Sequence, residues 1–385
     1  MANVFSRLRI WDGASDDYLD ADSIAVEDGK IAAVGKGWRG ENCAGLTVIP
    51  GLIDAHVHMV LDPSLKSAMA QVGESDDTIR AKLPVRAEAM VRAGITSARD
   101  LGGGAWLELE LRDHIAAGEV IGPRLVCAGQ PVTSVGGHCH FWNGEAASVQ
   151  EAEEVVERQR AAGVDLIKVM ATGGNLTPKS RPSDAQFDGG EMRAIVAAAA
   201  RFGFPVAAHC HGTSGIRNAA RAGVRTIEHC SWLGADGKRG AYDPVVAREI
   251  VRQGIWVSPT VNAGWARFGE AFAKVVTAGF RAMKEQGCRL VASTDAGIPN
   301  VYHHDLGRAL PVFARLAELT PMQALRAATS DCAAAIGLGG VTGRVAEGFA
   351  ADLVFLDRDP LSDLATLVNP VRVVAAGRLL GPQVV

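Results

Sequence analysis

From the run LTVIPGLIDA to about residue 340, the chain alternates between short β-branched runs and helical stretches, and it does so eight times. The remaining runs are ITSARD, RLVCAG, DLIKVMA, FPVAAH, RTIEH, IWVSPT and RLVASTD. Intervening segments such as VQEAEEVVERQRAAG and GEMRAIVAAAARFG carry helical periodicity and end in glycine, a frequent helix stop. Eight strand–helix repeats over roughly 290 residues predict an α/β fold, a (β/α)8 TIM-like barrel, close to its usual ~250 residues. The rival is a doubly wound open sheet, but no GxGxxG follows the first strand to mark a dinucleotide site.

The two ends read differently. VFSRLRIWDG, SIAVEDGKIAAVG and GLTVIPG are short strands punctuated by Asp-Gly-type turns, and TGRVAEGFAADLVFLDRD and VVAAGRLL repeat the pattern near the C-terminus. Residues 1–50 and 341–385 are therefore expected to form one small β-sandwich domain beside a catalytic barrel of residues 51–340. The alternative is a pair of unrelated terminal extensions.

Composition narrows the function classes. Of 385 residues, 48% are hydrophobic, too many for a disordered chain. A formal charge of -4 gives no electrostatic basis for a nucleic-acid groove or an anionic-membrane surface. No apolar run approaches the ~18 residues that span a bilayer, and MANVFSRLRIW lacks the apolar stretch of a secretory signal. The seven cysteines form no CxxC pair and no even framework, so a reduced, soluble, cytoplasmic protein is expected.

The histidines are not scattered. His56, His58, His138, His140, His209, His211 and His229 each lie at or just past an expected strand, the edge that carries the active site in a barrel. Strand residues two apart share a face, so His56 and His58 converge while Val57 points away. Two convergent neutral imidazoles can begin a zinc-type site. His209 and His211 repeat the alternation, and strand geometry cannot separate them. Lys168 stands inside an otherwise apolar strand, where an unpaired ammonium is costly. Asp295 ends a strand before Ala-Gly, a position for a ligand, a general base or a helix cap. Cys139, Cys210 and Cys230 beside the histidines read as small core hydrophobes, and His114 as a surface residue.

The segments PGLIDAHVH, IKVMATGG, PVAAHCHG, TIEHC and STDAG occur in the order shared by the amidohydrolase superfamily. The chain most resembles its prolidase-like and imidazolonepropionase-related hydrolases. The likeness extends to GPRLVCAGQPVTSVGGHCH, LTPMQALRAAT and GRVAEGFAADLVFL and covers nearly the whole chain. The resemblance implies a binuclear centre of two zinc-type divalent ions. His56, His58 and Asp295 would hold one, His209 and His229 the other, and a carboxylated Lys168 would bridge them. It favours His209 over His211 and resolves the buried lysine, since the carbamate is an anion. Some branches use one metal and no carbamate.

The implied reaction is hydrolysis of a small-molecule C–N amide or peptide bond by a metal-activated hydroxide, with Asp295 as the catalytic proton shuttle. The resemblance points to dipeptides of the Xaa-Pro or Xaa-basic kind, or to N-acyl amino acids. His138 and His140, on the glycine-flexed loop SVGGHCH, are candidate substrate contacts. Lys179, Arg181, Tyr242 and His303 lie in loops that could hold a carboxylate, and Trp232 could wall a pocket. The alternatives are a lactam, lactone or ester hydrolase on the same site, or a structural homologue without catalysis. No ligand position has been lost here, which counts against the latter. Barrels of this type often associate into homo-oligomers, although no interface stripe is visible.

Overall fold

The computed structural model describes residues 3–67, 70 and 72–380. All eight central strands are present: β1 (Leu52–Val57), β2 (Ile95–Asp100), β3 (Arg124–Cys127), β4 (Ile167–Met170), β5 (Val206–Gly212), β6 (Thr226–Leu233), β7 (Trp256–Ser258) and β8 (Arg289–Leu290). A helix follows each one: α1 (Asp76–Arg92), α2 (Leu107–Ala116), α3 (Val149–Ala162), α4 (Gly189–Ala200), α5 (Thr213–Ala222), α6 (Pro244–Arg252), α7 (Glu270–Glu285) and α8 (Leu306–Ala317). The fold is mixed α/β. Strands β1, β2 and β4 are buried along their whole length, as parallel strands covered on both faces must be.

The ladders are parallel but form two arcs, β1-β2-β3 and β4-β5-β6-β7-β8, rather than the single eight-stranded ladder the repeats predict. Single backbone bonds cross the gaps between the arcs. Ala55 N–H donates to Ala292 O at 3.2 Å and Asp295 N–H to His56 O at 2.9 Å on one side. On the other, Val132 N–H donates to Lys168 O at 2.9 Å and Met170 N–H to Val132 O at 2.8 Å. The physical reason is local: β8 has only two ladder residues before the chain bends into the left-handed φ of 63° at Asp295.

Capping sets the helix ends. Ser148 accepts from Glu151 N–H at the start of α3, and Gly163 closes that helix with φ of 82°. Asp188 and Glu191 form a capping box at α4. That helix ends at Ala200 rather than at the glycine of ARFG, because Gly203 shapes the turn after it.

At the N-terminal end, strands Asn3–Ser6, Ser23–Glu27, Lys30–Gly35 and Glu41–Asn42 make one sheet. A second sheet joins Arg9–Ile10 and Thr47–Pro50 to the C-terminal strands Leu353–Leu356, Arg372–Ala375 and Arg378–Leu380. Phe5, Ile24 and Val48 share a core with Leu353, Phe355 and Val374, so the two chain ends pack on each other. All seven cysteines are buried and unpaired. Among the described residues, no helix is long and apolar enough to cross a membrane.

Candidate metal centre at the strand ends

Six side chains from five strands or the residues just past them face one cavity of about 240 Å³: His56 in β1 and His58 after it, Lys168 in β4, His209 in β5, His229 in β6 and Asp295 after β8. His211 and His138 line it as well. Asp295 Oδ1 lies 3.3 Å from His56 Nε2 and 3.5 Å from His58 Nε2. Two groups, His56–His229–Asp295 and His209–His211–His229, each bring their ligand atoms within 4.8 Å of one another. His229, Asp295 and Thr260 all adopt left-handed φ, of 64°, 63° and 54°. Non-glycine residues rarely do so, and such strain concentrates at functional sites.

The hydrogen bonds behind the rings fix which nitrogen is free. Gly102 O accepts from His58 Nδ1–H at 2.9 Å, and Gly173 O accepts from His209 Nε2–H at 3.0 Å. A carbonyl can only accept, so His58 presents Nε2 as a lone pair and His209 presents Nδ1. His56 Nδ1 donates to Glu228 Oε2 at 3.0 Å, leaving its Nε2 free toward Asp295. Burial, reinforced by neighbouring rings and Lys168, drives His209 and His229 far below the ordinary imidazole range. Burial likewise pulls His58 and His211 down to about 3. These rings are therefore neutral donors at pH 7.

Burial pushes the Asp295 carboxyl up, but His56, His58 and Lys168 outweigh it and hold it below the usual range, so it is anionic. Neutral imidazoles with one carboxylate make a donor set suited to zinc-type ions. Lys168 is 1% exposed, and burial lowers its pKa to about 8. Among the described residues, neither an ion pair nor a hydrogen bond holds its ammonium. Glu228 and Asp295 act on it only through space.

A buried charged layer supports the cluster. Arg99 donates Nη2–H to Glu228 Oε1 at 2.8 Å, Nη1–H to Thr226 Oγ1 at 2.9 Å and Nε–H to Ala55 O at 2.8 Å. Asp100 accepts from the amides of Met59 at 2.6 Å and Gly102 at 2.8 Å, so it shapes the segment carrying His58. Asp54 accepts from Thr294 Oγ1 at 2.6 Å and the His56 amide at 3.1 Å. Sequence reasoning missed these four acidic and basic groups. The signal that exposed Lys168, a charge inside an apolar strand run, also marks Asp54, Arg99 and Glu228.

The amidohydrolase family's sequence profile matches residues 47–380. The chain belongs to the amidohydrolase family. Ochratoxinase from Aspergillus niger is 26% identical over 358 residues, spanning 84% of this chain and 72% of that protein. Imidazolonepropionase from Chloroflexus aggregans is 24% identical over 382 residues, spanning 88% of this chain and 84% of the relative. The solved structure of an Xaa-Pro dipeptidase with bound methionine in its active site is 25% identical. It superimposes with a TM-score of 0.86 and covers 99% of this chain and 100% of its own.

In this amidohydrolase the remaining expectations divide. His138 is buried, its ring 4.6 Å from that of His209, with Nδ1 3.1 Å from Thr177 Oγ1. His140 opens a short 3-10 turn, packs on Phe141 and is not among the residues lining the cavity. His303 is buried behind the centre, donating Nε2–H to His58 O at 3.0 Å. Tyr242 donates to Ala282 O and packs edge-on to Trp232, and Arg181 is exposed beside Asp184. His114 sits on the surface against Glu119, and Cys139, Cys210 and Cys230 lie in the main core.

Proposed function

We propose that this amidohydrolase is a metal-dependent hydrolase of C–N amide or peptide bonds in small molecules. The observation that carries this reading is the convergence of His56, His58, Lys168, His209, His229 and Asp295 on one cavity, with the free nitrogens of His56, His58 and His209 already set. The two arcs are read as one barrel of residues 51–340, beside a terminal β-sandwich domain of residues 1–50 and 341–385. His56, His58 and Asp295 would hold one zinc-type ion, and His209 with His229 a second. Lys168 would bridge them as a carbamate, formed when its neutral amine adds to carbon dioxide and releases a proton. Its pKa, lowered to about 8, raises the fraction of neutral amine to about a tenth at pH 7.

Bound divalent ions would supply a water acidic enough to attack at neutral pH and would polarise the scissile carbonyl. The chain's own residues do the rest. Asp295 takes the proton of the attacking water and delivers it to the leaving nitrogen. Thr177 Oγ1 accepts from Cys139 N–H at 2.8 Å and lies 3.1 Å from His138 Nδ1, so it holds that ring in place. In the tautomer protonated at Nε2, His138 would donate to the developing oxyanion. Relatives that are an ochratoxinase and an Xaa-Pro dipeptidase support amide chemistry. Seven reduced, buried cysteines support action in the cytoplasm.

The test is a library of dipeptides and N-acyl amino acids assayed with metal-loaded protein, with metal content measured in parallel. Release of an amino acid, lost on chelation and in Lys168→Ala, supports the reading. Turnover of lactones or esters alone moves the assignment to those substrates. A folded protein that takes up no metal sinks it.

A further inference from the structure

A second cavity, of about 400 Å³, adjoins the metal cavity and shares His229, Arg239 and Trp265 with it. Beyond those shared residues it is lined by Trp232, Tyr242, Val276, Phe280 and Met283, an apolar and aromatic wall. The metal cavity alone, at about 240 Å³, falls short of the ~300–1,000 Å³ that small-molecule sites usually offer, and the second brings it into that range.

Arg239 stands where the two meet. Its guanidinium lies 5.5 Å from the Trp265 ring centre and 5.4 Å from that of Phe272. Its only recorded hydrogen bond among the described residues is a long one, 3.5 Å to Ser231 O, and no carboxylate there pairs with it. Neighbouring arginines differ: Arg217 pairs with Asp243, and Arg252 with Glu249. A guanidinium has five donors in a planar fork that matches a carboxylate. Half-buried over two rings, most of those donors have no protein partner among the described residues and remain open to the cavities. A ligand anion would complete the set, and the rings under the fork hold it in plane.

We propose that Arg239 anchors a free carboxylate of the substrate at the junction of the cavities, and that the second cavity takes an adjoining aromatic-sized apolar group. Resting on the amide-hydrolase reading, this narrows the substrate to an N-acyl amino acid or dipeptide with an apolar side chain and an uncapped carboxylate. An amidated analogue leaves the fork unpaired, and sites built around a polar partner reject ligands that lack it.

The test separates this proposal from the hydrolase reading by using ligands that cannot be cleaved. Binding of 3-phenylpropionate and 3-phenylpropanamide is measured by titration calorimetry on metal-loaded wild type, Arg239→Met and Arg239→Lys, with metal content matched. Wild type should prefer the acid at least about tenfold, Arg239→Met should lose that preference, and Arg239→Lys should keep part of it. Gly279→Phe fills the second cavity from a position where a Cβ meets nothing within 4 Å. It should weaken the acid at least about fivefold without changing the preference.

An unchanged preference in Arg239→Met means that the metal centre holds the carboxylate, and it overturns the assignment. Equal binding of acid and amide by wild type does the same, and an unaffected Gly279→Phe removes the cavity's role. If the acid preference holds but no amide is hydrolysed, the hydrolase reading fails and the carboxylate site stands.

Discussion

Replacing Glu228 with glutamine removes one negative charge from beneath the histidine cluster with almost no change in volume. Glu228 is fully buried, and its partners Arg99 and His56 are 2% and 1% exposed, so none of the three has water to fall back on. Arg99 Nη2 is 2.8 Å from one carboxylate oxygen and His56 Nδ1 3.0 Å from the other. Breaking a buried pair from one side costs about 3–5 kcal/mol. Glutamine keeps an acceptor for Arg99, which places the expected loss at the lower end, about 3 kcal/mol. With an unfolding entropy of about 2.1 cal/mol/K per residue over 385 residues, the melting temperature should fall by about 4 °C.

The measurement is scanning calorimetry on chelator-treated protein, so that metal binding does not enter. Arg99→Met/Glu228→Gln should recover most of the loss, because both buried charges are then gone. Burial pushes the Glu228 carboxyl up, but Arg99 and His56 outweigh it and hold it below its ordinary range. The wild-type advantage is therefore complete above about pH 4.3 and shrinks as the pH falls and the carboxylate takes up its proton. In metal-loaded protein the amide no longer enforces the His56 tautomer, and metal affinity should drop about 10–100-fold. A single variant melting within about 1 °C of wild type, with the double variant no better, would refute the reasoning.

Three further outcomes are expected. A Cβ at Gly174 would stand 2.3 Å from His138 Nε2, so Gly174→Ala must push that ring aside; kcat/KM for an amide substrate should fall at least about tenfold, and an unaffected rate removes His138 from the reaction. Glu108 is fully buried, and neither of its carboxyl oxygens has a hydrogen-bond partner among the described residues. Burial, with Asp100 nearby, raises its pKa, so the folded protein keeps a proton that the unfolded chain releases above about pH 4.3. Stability therefore declines as pH rises through that region, and Glu108→Gln, always neutral, should gain on wild type between pH 5 and about 9 in urea titrations; a pH-independent difference contradicts this. Stripping the metal should lower the melting temperature by about 5 °C if the ions are near 1,000 times their Kd, a linkage of about 4 kcal/mol; superimposable melts with and without chelator would mean that no ion is bound.

The sharing of one cavity by His56, His58, Lys168, His209, His229 and Asp295 was partly legible, because strand alternation acts over a few residues and the resemblance supplied the rest. His56 and His58 must sit two apart to converge from one strand, and Lys168 stood out against its apolar neighbours. The strand–helix alternation was equally plain, since periodicity needs only a few turns of chain to show itself. His211 stayed ambiguous because it shares a face with His209. Only the packing of β5 against β6 shows its ring stacked 4.5 Å from that of His229. Tyr242 and His303 were candidates for substrate contact, and both are spent on internal hydrogen bonds. Arg239 carried no local signal: a charge in a loop between β6 and α6 looks solvated until Trp265 and Phe272 are folded beneath it.

The order of elements follows from short stretches of chain, because backbone periodicity acts over a few residues. The supporting charges are another matter. His56 meets Glu228 across 172 residues and Arg99 meets it across 129, and which charge compensates which depends on how β1, β2 and β6 come together. The same holds for the free nitrogens of His56, His58 and His209 and for the apolar cavity beyond Arg239. Each is a product of long-range packing, which local pattern does not encode.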